Sequence, residues 1–520
     1  MEKTESQAIK LSDKIGLAAL VAVCVAFVAL RFWNLTASCL WFDEIFTVHA
    51  AEMDFGNSVW FVAQDLIHPP LSYILLKFWI FAGGTSLFWL RFFPVFFSIL
   101  SLVPLIFLCR ELRLNYTTIA VAVLFLAVNG CLIKYAQEVR MYSPFLFFAI
   151  LSMWLFARFL NLGKNIWLLT IVNVLLVYTH YFGWLVVFSE ITAILVLQRI
   201  KIRQSLVMLG ILVASFAPWI FAVWKAAQVN ANLGQNIGWI GKPDLATLAQ
   251  FLFDLIEPFY YQQSNIESTS MFIITVPILL LLITALVIYL IDRKVESEPD
   301  RQTLIMLAIF TTLPVLSALI ASYALPYSVW GTRHLIFVFV PFAILSAIAL
   351  TKIKITPLVA TFLALVLLFF GAAFLIQAKR ETPVYIWCAW ENLARNLDKT
   401  NRTKIYVFED LVAYDMWFAL RDAERNFEIV KVGGIEGMVE DTAYFLPRGF
   451  DKIQTIDADG ITGDRFFVAY RDATFNEKHP PLKNFREKGY KIGEPIIFDT
   501  NPKATVANPS LKGYLVEVWK

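Results

Sequence analysis

The sequence predicts an α-helical multi-pass membrane protein of about 11 transmembrane helices, followed by a C-terminal extracytoplasmic α/β domain. Of its 520 residues, 58% are hydrophobic and only 16% are charged, whereas a soluble domain carries about 25% charged residues. The charges are also uneven, because roughly 11% of residues are charged before position 377 and roughly 30% after it. We therefore divide the chain into a transmembrane domain, 1–376, and a soluble domain, 377–520.

Long apolar runs predict the membrane spans, since a helix needs about 20 apolar residues to cross a bilayer. The segment Pro69–Gly84 is apolar, but it is short and carries Lys77 in its middle, which favours an interfacial helix. The loop 35–86 is therefore predicted to hold juxtamembrane helices within the transmembrane domain. The predicted spans are 16–34, 87–108, 117–133, 142–160, 166–180, 183–198, 205–224, 271–291, 303–323, 335–351 and 356–376.

The basic residues predict the orientation, because cytoplasmic loops of membrane proteins are enriched in Lys and Arg. With Pro69–Gly84 on the surface, the side that holds the N-terminus receives about twice as many basic residues as the short loops of the other side. We expect a cell (inner) membrane protein with a cytoplasmic N-terminus and an extracytoplasmic C-terminal domain. All five histidines then lie outside or at the outer membrane edge, so we expect any chemistry there.

The tail alternates between helical and extended patterns, which predicts a small α/β domain. The segment 379–383 is predicted to be the linker. Helical patterns occupy 387–398, 411–420 and 481–488, and extended patterns occupy 404–408, 427–432, 465–471 and 513–519.

Charge and cysteine spacing argue against several classes of protein. A net charge of +3 produces no basic stripe, so we expect no nucleic-acid partner. The five cysteines show no paired spacing, and only Cys388 lies in the polar tail. The pattern therefore predicts neither a disulfide framework nor a zinc site.

The first candidate site is the segment Ser38–Thr47, which carries Asp43 and Glu44 between aromatic residues just after the first span. Carboxylates near lipid are costly to desolvate unless something pairs with them. A solvated turn or a helix N-cap would explain the pair equally well. The functional interpretation is a general base, because neighbouring residues on a helix point about 100° apart and one carboxylate can face substrate while the other orients it or holds a cation.

A second candidate is the turn 134–142, with Lys134, Glu138, Arg140 and Tyr142 between two spans. The structural explanation is an interfacial turn with snorkelling cations and belt tyrosines. The functional one is a phosphate site, because the planar fork of arginine donates two parallel hydrogen bonds to phosphate. Glu138 would then be a second acidic group.

Further polar residues fall on the same predicted side. Each alone fits a snorkelling cap, but their convergence on one face of a charge-poor domain favours an anion-binding cavity. They are His68 before a double proline, Lys77, Arg91 at the start of a span, and Arg333 and His334 in a late loop.

Together these motifs resemble the bacterial GT-C glycosyltransferases, in particular the protein O-mannosyltransferase family and the lipid A aminoarabinose transferases. The resemblance covers about the first 200 residues and a late motif. It rests on Trp-Phe-Asp-Glu at 41–44, His-Pro-Pro-Leu at 68–71, Phe-Trp-Leu-Arg-Phe-Phe-Pro at 88–94, Tyr-Ala-Gln-Glu-Val-Arg-Met-Tyr at 135–142 and Thr-Arg-His-Leu at 332–335.

The resemblance implies a GT-C-like fold and inverting transfer of a sugar from a polyprenyl phosphate to a hydroxyl of a protein, lipid or glycan on the outer face. Asp43 matches the catalytic position and Glu44 its partner. Glu138 and Arg140 match the second-loop motif, Arg91 the basic residue of the second span, and Arg333 the late motif. Thr332 and His334 depart from the Pro and Tyr common there.

The chemistry suits these residues, since Asp43 can take the acceptor proton and Arg140, Arg333, Lys134 or Lys77 can neutralise the leaving phosphate. No other cofactor is implied, and a divalent cation held by Asp43, Glu44 and Glu138 stays open. Two alternatives remain: a multi-pass transporter or lipid flippase, which would place ionisable groups at mid-membrane, and a non-catalytic scaffold.

Overall fold

The computed structural model describes most of the chain. The described residues are 2–229, 233–238, 240–259, 272–292, 301–353, 355–379, 388–396, 403–421, 427–434, 450–472, 475–476, 478–498 and 512–520. They form two compact units. The helical unit comprises Met1–Leu35, Ile67–Lys225 and Ile240–Arg380, and the sheet unit comprises Thr36–Leu66, Ala226–Trp239 and Glu381–Lys520.

Helices form most of the described chain up to residue 378, and short polar side chains begin several of them. Ser86, Asn115 and Asn129 each accept a backbone N–H of the turn that follows, as favourable N-caps do. Gly163 ends a long helix in the left-handed region, which glycine adopts at no steric cost. The first eleven helices are α1 (Glu2–Phe32), α2 (Phe42–Glu52), α3 (Phe55–Asp65), α4 (Leu71–Gly83), α5 (Leu87–Leu100), α6 (Leu102–Glu111), α7 (Tyr116–Val128), α8 (Gly130–Gln137), α9 (Tyr142–Leu162), α10 (Ile166–Thr179) and α11 (Gly183–Leu197).

The remaining helices reach into the tail, where strands join them. The helices are α12 (Ile202–Val229), α13 (Leu233–Ile237), α14 (Leu245–Asp254), α15 (Phe272–Asp292), α16 (Arg301–Ala324), α17 (Phe339–Thr351), α18 (Thr356–Ala378), α19 (Cys388–Asn396), α20 (Asp410–Leu420) and α21 (Pro480–Glu487). Short 3-10 turns lie at Arg199–Lys201, Thr332–Val338 and Ala458–Gly460. The strands are β1 (Thr403–Val407), β2 (Phe427–Gly433), β3 (Gln454–Asp457), β4 (Arg465–Asp472), β5 (Lys491–Ile492), β6 (Ile496–Phe498) and β7 (Lys512–Trp519).

Eight helical segments among the described residues are long and apolar enough to cross a membrane. They include α1, the α5–α6 pair, α9, α12, α15, α16, α17 with its preceding turn, and α18. The three other predicted spans coincide with α7, α10 and α11, which are shorter apolar helices. A multi-pass helical protein is therefore observed, while the count of about 11 spans stays a prediction. The interfacial segment forms α4, which is 13 residues long.

Several buried polar groups in the helical unit are hydrogen-bonded to neighbouring helices. The Arg31 guanidinium, at the end of α1, donates to the carbonyls of Leu126 and Ala127 on α7, at 2.9 and 2.6 Å. Glu190 accepts from Ser152 at 2.5 Å and from Asn173 at 2.7 Å, which joins α9, α10 and α11. Such bonds matter here because an unsatisfied polar group in hydrocarbon costs several kcal/mol.

The sheet unit confirms the predicted α/β tail. Its strand order is β3-β2-β1-β4-β7-β5, with β6 also pairing with β7. The four strands β3, β2, β1 and β4 run parallel, and β7 runs antiparallel to β4. The core is apolar and includes Tyr406, Val430, Val468, Phe485 and Val516. The short strands β3, β5 and β6 escape prediction because they span only two to four residues.

The expectation that the cysteines form no disulfide is wrong. Cys39 and Cys388 form a disulfide across 349 residues of sequence, with their Cα atoms 5.4 Å apart. Spacing along the chain could not reveal the pair, because the loop before α2 and the start of α19 meet only through the fold of the sheet unit. The remaining cysteines, Cys24, Cys109 and Cys131, are free.

Two further contacts hold α2 against α20 within the same unit. The His49 Nδ1 atom lies 2.9 Å from the Tyr414 hydroxyl, and Arg421 donates to Glu52 at 3.2 Å. The loop helix that carries Asp43 is thus fastened to the α/β fold by a covalent bond at one end and an ion pair at the other.

Candidate functional site

A cluster of partly or fully buried basic side chains lies in the helical unit, and we call it the His/Arg cluster. It consists of His68, Arg140, His180, Arg333 and His334. Arg140 Nη2 lies 3.3 Å from His68 Nε2, and both side chains are buried. The His180 and His334 rings are 5.4 Å apart, and His180 is within electrostatic range of the other four groups. Four of these five residues were predicted site residues, and the structure brings them together.

The turn between α8 and α9 positions Arg140. Asn129 caps α8 by accepting the N–H of Leu132 at 3.0 Å. Gln137 then ties the end of α8 to the end of α1 by donating to the carbonyls of Arg31 and Trp33. The Ser143 hydroxyl donates to the Tyr135 carbonyl at 3.0 Å, which closes the turn. A turn fixed at both ends holds the guanidinium with little freedom to move.

Packing and hydrogen bonds fix the ring orientations of His180 and His334. His180 follows α10; its Nδ1 accepts the Phe182 N–H at 3.1 Å, and its ring stacks on Phe145 at 4.9 Å. His334 Nδ1 lies 3.3 Å from the Val329 carbonyl oxygen. These contacts leave the imidazoles oriented by their surroundings rather than by solvent.

Acidic groups lie near the same turn. Lys134 and Glu138, both predicted site residues, are in contact, with Nζ 3.8 Å from Oε2. Glu138 and Asp254 are both within electrostatic range of the Cys131 thiol. Asp254 accepts from Thr332 at 2.9 Å and from Gln250 at 2.9 Å. Burial raises the pKa of the Asp254 carboxyl to about 6, against these hydrogen bonds.

The other predicted basic residues have different surroundings. Arg91, on α5, is buried and donates to the Leu35 carbonyl at 3.0 Å, so it stabilises the chain as it leaves α1. Lys77 is partly exposed on α4. Tyr142 is buried at the start of α9, with its ring 4.7 Å from that of Tyr135. The Tyr142 ring also lies 6.2 Å from the His180 ring of the His/Arg cluster.

Asp43 and Glu44 lie in the first turn of α2, in the sheet unit. Glu44 is fully buried, and its Oε2 accepts the Trp41 N–H at 3.1 Å. This is the helix-capping explanation, and it applies to Glu44 because its carboxylate satisfies an N–H that the helix leaves unpaired. Asp43 is partly exposed, and its backbone carbonyl accepts from the Thr47 hydroxyl at 2.8 Å.

The divalent cation that the sequence left open has no preformed site in the described part of the chain. No group of three or more His, Cys, Asp or Glu side chains there is arranged to hold a metal ion. Asp43 and Glu44 belong to the sheet unit, whereas Glu138 belongs to the helical unit.

Sequence reasoning missed His180, Asp254 and Thr332. His180 stood at the outer end of a predicted span, and that position was a usable signal. Asp254 had no such signal, because the fold alone brings its loop to α8. A short antiparallel bridge between Asn129 and Pro258 makes that connection.

Comparison with known proteins identifies the fold. The sequence matches no protein-family model and no curated protein. ArnT from Cupriavidus metallidurans bound to undecaprenyl phosphate has a TM-score of 0.55 at 11% identity, over 96% of this chain and 97% of that chain. Its apo state has a TM-score of 0.52 at 11% identity with the same coverage. The chain therefore shares the fold of ArnT over nearly its whole length.

ArnT, the solved structure that carries this conclusion, is a lipid A aminoarabinose transferase. The apo oligosaccharyltransferase from Archaeoglobus fulgidus is also similar, at 13% identity and a TM-score of 0.48 over 78% of this chain. This chain spans 63% of that archaeal protein's length.

Proposed function

We propose that this protein is a membrane glycosyltransferase that moves a sugar from a polyprenyl-phosphate carrier to a hydroxyl acceptor on the outer face of the membrane, with inversion at the anomeric carbon. The His/Arg cluster is the observation that carries the proposal. It lies in a fold shared with ArnT, whose structure holds undecaprenyl phosphate. The acceptor is a protein, a lipid or a glycan.

The cluster suits the phosphate of the carrier. Arg140 and Arg333 are permanently charged, and their planar forks match phosphate oxygens. The phosphate leaves with the electron pair of the broken anomeric C–O bond, so its charge grows as transfer proceeds. Cations held in a low-dielectric surrounding stabilise that charge more than water would. Lys77, Arg91, Lys134, Tyr142 and Glu138 are the further substrate-site candidates.

Asp43 is the proposed general base. It accepts the proton of the acceptor hydroxyl while the oxygen forms the new bond to the anomeric carbon. Its partial exposure suits a group that meets substrate, whereas Glu44 is used by the helix cap. We assign Glu44 the role of orienting Asp43, because the cap fixes the first turn of α2.

The disulfide supports the proposed orientation. Disulfides persist in oxidising compartments outside the cytoplasm, and Cys39 and Cys388 form one. Both lie on the side that the basic residues assign to the exterior. We therefore propose a cytoplasmic N-terminus and an extracytoplasmic C-terminal domain.

Three matched carboxylate variants test the base assignment. Asp43→Asn should abolish sugar transfer from a polyprenyl-phosphate donor to the acceptor, because the amide cannot accept the proton. Glu44→Gln should retain most activity, since a glutamine oxygen can cap the helix equally. Asp65→Asn, on α3 of the same loop, serves as the control. Full activity in Asp43→Asn at normal protein level would refute the assignment.

A transporter or flippase is the second candidate, and Glu190 is the observation that favours it. This fully buried carboxylate lies on the apolar helix α11, where an ion pathway would need an ionisable group. Its hydrogen bonds to Ser152 and Asn173 also suit a purely structural role. Glu190→Gln should leave sugar transfer intact, while loss of carrier flipping in vesicles without loss of transfer would support the transporter.

A further inference from the structure

A second polar cavity lies at the opposite end of α9 from the His/Arg cluster. Its volume is about 790 Å³. Its polar walls come from Arg110, Arg113, Arg158, Asn161, Gln198 and Gln302. Because α9 runs from Tyr142 to Leu162, about 30 Å separates the two ends at 1.5 Å per residue. The cavity is therefore distinct from the candidate active site and lies on the side proposed to be cytoplasmic.

Positive charge dominates this cavity. Glu111 is the one carboxylate among its lining residues, against three arginines. Glu111 is already engaged, since Asn161 donates to it at 3.0 Å and the Arg158 Nε atom lies 3.9 Å away. Arg110 and Arg113 are exposed and make no ion pair within the described residues. Arg110 also lies over the Tyr116 ring at 4.9 Å, and both guanidinium groups can pair with an anion.

The backbone conformation at the end of α6 also places Arg113 at the cavity. Arg113 has a φ of +58°, in the left-handed region, which is unfavourable for a residue with a side chain. Its N–H bonds to the Arg110 carbonyl at 3.0 Å, and the next N–H bonds to the Cys109 carbonyl, which closes the end of α6. The turn brings the two exposed guanidinium groups to one mouth of the cavity.

An apolar wall of the cavity adjoins the wall formed by the arginines. Phe107 stacks on Trp154 with ring centroids 5.0 Å apart, and both line the cavity. Phe107 and Leu162 are about half exposed, as expected for side chains that face lipid. Arg158 lies over the Trp154 ring at 5.5 Å. A cationic site beside an apolar wall matches the phosphate and the acyl chains of a phospholipid.

We propose that this cavity binds the phosphate headgroup of an anionic phospholipid from the cytoplasmic leaflet, with acyl chains along Phe107, Trp154 and Leu162. Arginine forks hold the phosphate, and the amides of Asn161, Gln198 and Gln302 surround the rest of the headgroup. Binding here joins α6, α9 and α16 at one membrane face. The proposal does not depend on the sugar-transfer activity.

Native mass spectrometry of the full-length protein tests the site directly. Protein from nanodiscs of mixed phosphatidylglycerol and phosphatidylcholine should retain phosphatidylglycerol selectively. Arg110→Gln with Arg113→Gln should lower its affinity about tenfold or more, and these exposed positions leave the core intact. Lys164→Gln with Arg203→Gln removes two basic residues of the same membrane side that do not line the cavity.

The proposal predicts that the control pair keeps the bound lipid and that Arg158→Gln loses it as well. Equal loss in the control pair would show general surface attraction and overturn the site. Equal retention of phosphatidylcholine would show that charge plays no part, which also overturns it. Displacement of the lipid by millimolar inorganic phosphate would assign the site to a soluble anion rather than to a lipid.

Discussion

Within the sheet unit, acidification should loosen α2 from α20 through His49. This imidazole is 8% exposed, contacts the Tyr414 hydroxyl at 2.9 Å, and lies among the rings of Phe61, Trp417 and Phe450. Burial, together with the charges of Arg421 and Lys452 and against that of Asp451, lowers its pKa to about 4. The folded unit therefore holds the neutral imidazole.

The sign and the size of this loss of stability follow from the difference between the folded and unfolded pKa values of His49. A histidine whose folded pKa lies below its unfolded value of 6.5 contributes stability that is present above pH 6.5 and is lost as the pH falls toward 4. Each pH unit in that window corresponds to about 1.4 kcal/mol. Lowering the pH from 7.5 to 5.0 should therefore cost about 2 kcal/mol, which increases the opening of α2 about thirtyfold.

Hydrogen exchange of the full-length protein measures this opening, because amide protection reports local unfolding free energy. Exchange rates of the α2 amides, corrected for the intrinsic pH dependence, should rise about thirtyfold in the wild type and much less in His49→Gln. Glutamine keeps a partner for the Tyr414 hydroxyl but does not titrate. An equal rise in both proteins would show that other groups, such as carboxylates, cause the loosening and would refute the role of His49.

Two further predictions concern the disulfide and the late loop. Replacing both Cys39 and Cys388 by serine should lower the free energy of unfolding of the sheet unit by about 2–4 kcal/mol, measured by thermal unfolding. The control variant Cys24→Ser should leave it unchanged. An unchanged unfolding temperature in the double variant would contradict a stabilising bond. In Gly331→Ala the new Cβ would lie 2.9 Å from His334 Nδ1, so the ring must move and sugar transfer should fall by roughly one to two orders of magnitude. Gly371→Ala, where no atom lies within 4 Å of the new Cβ, is the matched control, and equal activity of both variants would count against a positioned His334.

Sequence reasoning could predict the parts of the structure that have local causes. Apolar length produces the spans, and alternating patterns mark β1, β2, β4 and β7, because burial of one face is written into consecutive residues. The helix cap of Glu44 was one of two open explanations, since a carboxylate three residues after Trp41 can cap or catalyse. The structure shows the cap, and the role of Asp43 stays a proposal.

The sequence could not predict the features that depend on contacts between distant segments of the chain. Asp254 reaches the turn at Glu138 through a bridge at Asn129 and Pro258, and no local pattern encodes such a pairing. Short strands such as β5, with two residues, are held by the neighbouring β7 rather than by their own composition.

The bond between Cys39 and Cys388 makes a covalent ring of the chain. The ring contains every helix from α2 to α18, and α1 alone among the membrane helices precedes it. A protease nick in any loop of the ring leaves two fragments joined until a reductant is added. The ring also closes only after residue 388 has been synthesised and has met Cys39, so a segment made later in synthesis locks one made 349 residues before it.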